Sequence, residues 1–197
     1  MKALRHLTLI LAASLLLSPA VQAQDAATKA KMAEIRKAYA PALQFEKDGK
    51  TGSKKNFQTF HRVQTDPNGD VWESKIDFVV DPSGYIEELD LYYPTLCLVR
   101  ETAGSCMQEF LYDQDGKLLF VFTRNYDDDG GPILEERYYY GEEGSFWKIV
   151  KEVDPKTGKV LSESAAPTEE ADGTALFMYR VAADHYSAFQ ALNVIYD

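Results

Sequence analysis

The feature that most constrains this chain is a recurring acidic turn. Asp66-Pro-Asn-Gly69, Asp81-Pro-Ser-Gly84, Asp113-Gln-Asp-Gly116 and Asp154-Pro-Lys-Thr-Gly158 punctuate its middle, with Tyr126-Asp-Asp-Asp-Gly130 and Gly141-Glu-Glu-Gly144 as looser versions. The leading Asp bonds backbone two residues on, Pro presets φ, and Gly takes the positive φ that closes the turn. Strands joined by two to five such residues pair antiparallel, because parallel partners need a long crossover. The spacing predicts an antiparallel meander over residues 56–164.

Between the turns the apolar period is two. Trp72, Ser74, Ile76, Phe78 and Val80 share one face, while Glu73, Lys75 and Asp77 share the other. Strands are expected at 56–64, 71–80, 85–93, 95–100, 105–112, 117–124, 133–140 and 146–153, with a short piece at 159–163. Leu118 to Phe122 is apolar on both faces, so that strand belongs at the centre, covered on both sides.

The flanks read as helices. Over 25–47, Met32, Ile35, Tyr39 and Ala42/Leu43 recur at three- and four-residue steps, and Pro41 should kink or end the run. Asp48 to Lys55 reads as a linker. Over 174–195 the helical period returns through Phe177, Val181, Ala188, Leu192 and Ile195. The expected fold is α+β: a meander of about eight strands flanked by an N-terminal and a C-terminal helix, both on one concave face.

The first 23 residues read as an address. Lys2 and Arg5 precede an apolar run from Leu7 to Leu17, and Val21-Gln22-Ala23 gives small residues for cleavage after Ala23. The run is too short for a bilayer, which takes about 20 residues, and no cysteine follows it to carry a lipid anchor. A secretory signal of bacterial style is expected, followed by one domain over 24–197 in the periplasm or outside the cell. The whole chain of 197 residues carries 21 basic and 31 acidic groups. Removing the leader's two basic residues leaves 19 against 31, a charge of -12. Such a chain repels nucleic acid and anionic lipid.

Cys97 and Cys106 are the two cysteines. In an oxidising compartment, with Glu101-Thr102-Ala103-Gly104 as the turn between them, they are expected to form a cross-hairpin disulfide. The alternative, a redox-active pair, lacks Cys-x-x-Cys spacing and any His or Lys close by to activate a thiolate.

The blocks Phe110-Leu-Tyr-Asp-Gln-Asp-Gly-Lys-Leu-Leu-Phe-Val-Phe122 and Glu135-Glu-Arg-Tyr-Tyr-Tyr140 resemble the hairpin units of uncharacterised exported bacterial proteins, which are similar to MORN- or YD-type β-repeats. Those proteins join such units to an N-terminal helix similar to Ile35-Arg-Lys-Ala-Tyr39. The resemblance covers roughly 110 residues. It implies a secreted meander and brings no activity, cofactor or catalytic residue.

Three constellations bear on chemistry. Asn125, Asp127, Asp129 and Glu136 match the oxygen-ligand spacing of a calcium loop around Gly130, against a plain acidic hairpin loop whose charges stay wet. Asn stands at the first ligand position and Pro132 at the eighth, and the flanks read as strands, so no cofactor is expected beyond that candidate Ca2+ site. His61, on the face of Phe57, Thr59 and Val63, reads as a partly buried, hydrogen-bonded imidazole; His185 stands beside Asp184. No Gly-x-Ser-x-Gly elbow, His-Glu-x-x-His or phosphate-cradling loop occurs. The doublets Glu87/Glu88, Glu135/Glu136, Glu142/Glu143 and Glu169/Glu170 point to opposite faces of a strand and cannot act as catalytic pairs within it.

Trp72, Tyr92, Tyr138, Tyr140 and Trp147 fall on neighbouring strands, as core packing or, if outward-facing, as a platform for a sugar or protein. Together these readings lead to an exported, non-catalytic protein binding a protein, peptide or glycan. The alternatives are a small periplasmic hydrolase around His61 and an envelope component joined through a bare sheet edge.

Overall fold

A computed structural model describes residues 19–52, 57–65, 67–81, 85–86, 91–92, 95–127, 129–168 and 172–193. The chain divides into two compact units, residues 1–34 and 35–197. The described part of the first is wholly helical and belongs to α1 (Pro19–Thr51), which runs on into the second. The second unit then holds β1 (Phe57–Thr65), β2 (Val71–Asp81), β3 (Tyr85–Ile86), β4 (Leu91–Tyr92), β5 (Thr95–Ala103), β6 (Cys106–Tyr112), β7 (Leu118–Asn125), β8 (Ile133–Gly141), β9 (Gly144–Val153), β10 (Val160–Pro167) and α2 (Gly173–Asn193). Most of the expected leader, turn residues 82–84, the doublets Glu87/Glu88 and Glu169/Glu170, and Ile195 lie outside the described residues.

One antiparallel sheet has the order β1-β2-β5-β6-β7-β8-β9-β10, so the expected α+β meander of about eight strands is what forms. Its membership differs at two places. The stretch expected as one strand over 85–93 is instead a separate two-residue pairing of β3 with β4. The eighth strand is β10, longer than the piece expected at 159–163. The acidic turns close as their chemistry dictates: the Asp113 carboxylate accepts from the Asp115 and Lys117 amides, and that of Asp154 from Lys156 and Thr157.

The helices do not share a face. The second-unit part of α1 lies on one side, where Arg36 Nε donates to the Tyr139 hydroxyl at 3.2 Å and the Tyr39 and Phe120 rings stand 5.8 Å apart. α2 lies on the other, where Tyr112 and Tyr140 donate to the Ala182 and Ala175 carbonyls at 2.8 and 2.9 Å. Strand alternation sends Tyr138 and Tyr140 under α2 and Tyr139 under α1. β7 sits between β6 and β8 with Val121 in the α2-side core and Phe120 against α1, covered on both faces as its sequence requires.

α1 also passes Pro41, where a kink or stop was expected, and continues through the expected linker to Thr51. Pro41 and Lys37, whose carbonyl loses its amide partner, are both exposed, so water can take that acceptor. The inward side holds Ile35, Ala42 and Glu46, all buried.

A line of bulges bends the sheet. Val79, Leu98, Leu111, Phe120, Tyr139 and Trp147 form one cross-strand row. Immediately beside it the register slips on β5, β7 and β9, leaving Cys97, Leu119 and Phe146 as the extra residues. Bulges add local twist and bend the strand that carries them, and aligned on alternate strands they crease the whole sheet along one line.

The expected disulfide does not form: Cys97 and Cys106 are both free. The β5–β6 turn is Gly104-Ser105, with Ala103 opposite Cys106. Cys97 therefore lies six residues from the position facing Cys106, about 20 Å along the strand. Glu101 and Thr102, expected in the turn, are instead paired strand residues. Burial pushes the Cys97 thiol up to about 12 and raises Cys106 as well.

Candidate functional site

α2 is held by a narrow row. Ala175, Met178, Ala182, His185 and Phe189 are buried against the sheet, at heptad-like spacing. Its two alanines, Ala175 and Ala182, stand where Tyr140 and Tyr112 rise from the sheet to meet the helix. The apolar series that marks the helical period in the sequence, Phe177, Val181, Ala188 and Leu192, lies one step round the helix. Phe177 is 57% exposed and Leu192 39%.

That second row overhangs a cavity of about 670 Å³, floored by Ile76, Phe78 and Gln108. At its inner end His185 Nε2 lies 3.1 Å from Glu101 Oε2, and Arg62 pairs with the other oxygen of Glu101 while donating to Ser74 Oγ at 3.2 Å. The imidazole packs edge-on against Phe110 and Phe78, at 5.2 and 6.4 Å. Burial alone would raise the Glu101 pKa. Hydrogen bonds from His185 and Ser74, with the charges of His185 and Arg62, overcome this and hold it below its ordinary value. The network anchors α2 to β5 and gives an otherwise apolar groove one charged end.

The other sequence candidates are dispersed. His61 is exposed on the edge strand β1, opposite Lys75, rather than partly buried, and lines neither this cavity nor the one beneath α1. Its neighbours fail to cover it because β1 is the sheet's last strand and Val63 beside it is 63% exposed. Trp72 shares its face with buried Ser74, Ile76 and Phe78 but lies at the start of β2 and is 64% exposed. Trp147 is half-buried, and Tyr92 lies in the two-residue strand β4. Tyr138 and Tyr140 are buried in the core, so neither presents a ring face to a sugar.

The calcium spacing is undone by strand register. Asn125 is the last residue of β7, opposite Leu134, while Glu136 lies deeper in the sheet opposite Thr123. Its carboxylate accepts from the Tyr138 hydroxyl at 3.1 Å and pairs with Lys148 at 3.0 Å. The Asp127 carboxylate accepts the Asp129 amide at 3.0 Å. No group of three metal-ligating side chains occurs among the described residues.

Fold and site together define an α+β meander protein with a creased eight-stranded sheet, one helix on each face and an open apolar groove beside α2. No protein-family model matches the chain, and no curated protein or solved structure matches it. No described helix is long and apolar enough to cross a membrane.

Proposed function

We propose that this is an exported, non-catalytic binding protein that seats an apolar segment of a protein or peptide in the groove beside α2. The observation that carries the reading is the second apolar row of α2. Phe177 and Leu192 line the groove and are exposed, with half-buried Val181 between them packing on the core as well, and apolar side chains left open on a helix already anchored by another row mark an interaction surface. A partner bearing basic residues beside its apolar segment fits best, because Asp184 is exposed at the groove and the chain is strongly acidic. The glycan alternative loses its aromatic platform with the burial of Tyr138 and Tyr140. Export rests on the leader, and kinship with exported hairpin proteins on the antiparallel meander.

Selection of displayed peptides on the mature chain tests this. Selected sequences should combine apolar and basic residues and lose at least about tenfold in affinity on Phe177→Asp. Binders indifferent to that change would count against the groove.

A second reading, assembly through a sheet edge, draws on β10, all eight residues of which are exposed. That edge carries Glu163, paired with Lys151 at 2.8 Å, a register slip between Val160 and Ser162, and a terminal Pro167. Charge, bulge and proline are devices that blunt an edge against pairing, so the groove is preferred.

A further inference from the structure

The α1 face of the sheet holds a second cavity, of about 500 Å³, with a different character. Four of the chain's seven arginines line it, Arg36, Arg100, Arg124 and Arg137, and no described lysine does. Guanidinium forks match carboxylates in a way that ammonium groups do not. The rest of the wall is mostly apolar, from Ile35, Met107, Leu111, Phe120 and Phe122.

The protein's own carboxylates take up only part of this charge. Arg100 is held between Glu46 and Glu109, and Tyr39 also donates to Glu109. Glu135 is shared: Arg124 Nε donates to one oxygen at 3.0 Å and Arg137 Nη2 to the other at 2.9 Å. Both guanidiniums stack on Phe122, at 5.6 and 5.1 Å from the ring centre. Two donors are left over. Arg137 Nη1 is buried with no hydrogen-bond partner, and Arg36 makes no ion pair among the described residues, donating only to the Tyr139 hydroxyl. The two adjoin through β8, where Arg137 and Tyr139 are alternate residues on one face, about 7 Å apart along the strand.

We propose that this cavity binds a small amphipathic carboxylate, its head taken by Arg36 and Arg137 and its apolar body lying along Phe120, Leu111 and Met107. The site is separate from the α2 groove and does not depend on the function proposed for it. The four arginines outnumber the carboxylates that pair with them, Glu46, Glu109 and Glu135, and Glu46 is shared with Lys50, so net positive charge is left for an anion. An unpaired buried guanidinium N–H costs free energy that a carboxylate oxygen would restore.

Isothermal titration of the mature chain with decanoate, below its micellar concentration, tests this against acetate and decyltrimethylammonium. Decanoate should bind, with acetate and the cation at least about tenfold weaker. Arg36→Ala and Arg137→Gln should each weaken decanoate by about tenfold, while Phe177→Asp, in the other groove, changes nothing. Arg36 is exposed on a helix, so its variant carries the test if Arg137→Gln fails to fold. Equal binding of decanoate and the cation, no decanoate binding, binding unchanged by Arg36→Ala, or loss on Phe177→Asp would each overturn the assignment.

Discussion

Glu101 and His185 meet at 3.1 Å between β5 and α2, both buried, and this contact joins the C-terminal helix to the sheet. With a carboxylate as acceptor the imidazole Nε2–H donates. The Glu101 pKa is held below its ordinary value of 4.5. A carboxyl depressed in the folded state contributes stability that is present above its unfolded pKa and lost as pH falls through its folded one. Wild-type stability should therefore decline as pH is lowered below about 4.5. Glu101→Gln should be less stable at neutral pH and should show a shallower acid decline, measured by urea unfolding from neutral pH down through the carboxylate range. An unchanged acid slope would remove Glu101 from the account.

Gly116 and Gly130 offer a matched pair. Both sit at φ +79, yet a Cβ on Gly116 would run into the Tyr186 ring, whereas one on Gly130 would meet nothing within 4 Å. Gly130→Ala should cost about 1 kcal/mol for the left-handed backbone. Gly116→Ala should cost about 2–3 kcal/mol, because Tyr186 must also move. In a Tyr186→Ala background the two substitutions should become equal; a persistent difference would mean that the turn does not pack on α2.

The cysteines give a plain redox test. Thermal midpoints of the mature chain with and without dithiothreitol should coincide, and both thiols should label once the protein is unfolded without reductant. A midpoint that drops on reduction would restore a disulfide and require a different β5–β6 register.

The rotation of α2 is equally testable. Phe177→Ser should change stability by less than about 0.5 kcal/mol, as for other exposed sites. Ala182→Leu should cost about 1–3 kcal/mol or more by overpacking beneath the helix. The reverse order of effects would place the Phe177 row in the core.

What could be read ahead of the structure was local chemistry. Asp113 and Asp154 announce their turns because the Asp side chain and a following Gly build them unaided, and the apolar run at Leu118–Phe122 announces a strand covered on both sides. The Gly104-Ser105 turn carries no such Asp, so its expected position slid by about three residues and placed Cys97 opposite Cys106. α2 misled in another way. Phe177 and Leu192 face the groove, while two positions of its buried row are alanines, Ala175 and Ala182, whose carbonyls accept from Tyr140 and Tyr112, a fit that only the assembled sheet reveals. The same holds for Arg36, Arg100, Arg124 and Arg137, which stand far apart in sequence and are gathered by helix placement and strand register.

The most direct test of the central claim is affinity measured across the α2 groove. Peptides selected on the mature chain should bind the wild type, weaken at least about tenfold on Phe177→Asp or Leu192→Asp, and be untouched by Arg36→Ala on the opposite face. Full affinity retained by both groove variants, with their folds intact, would contradict it.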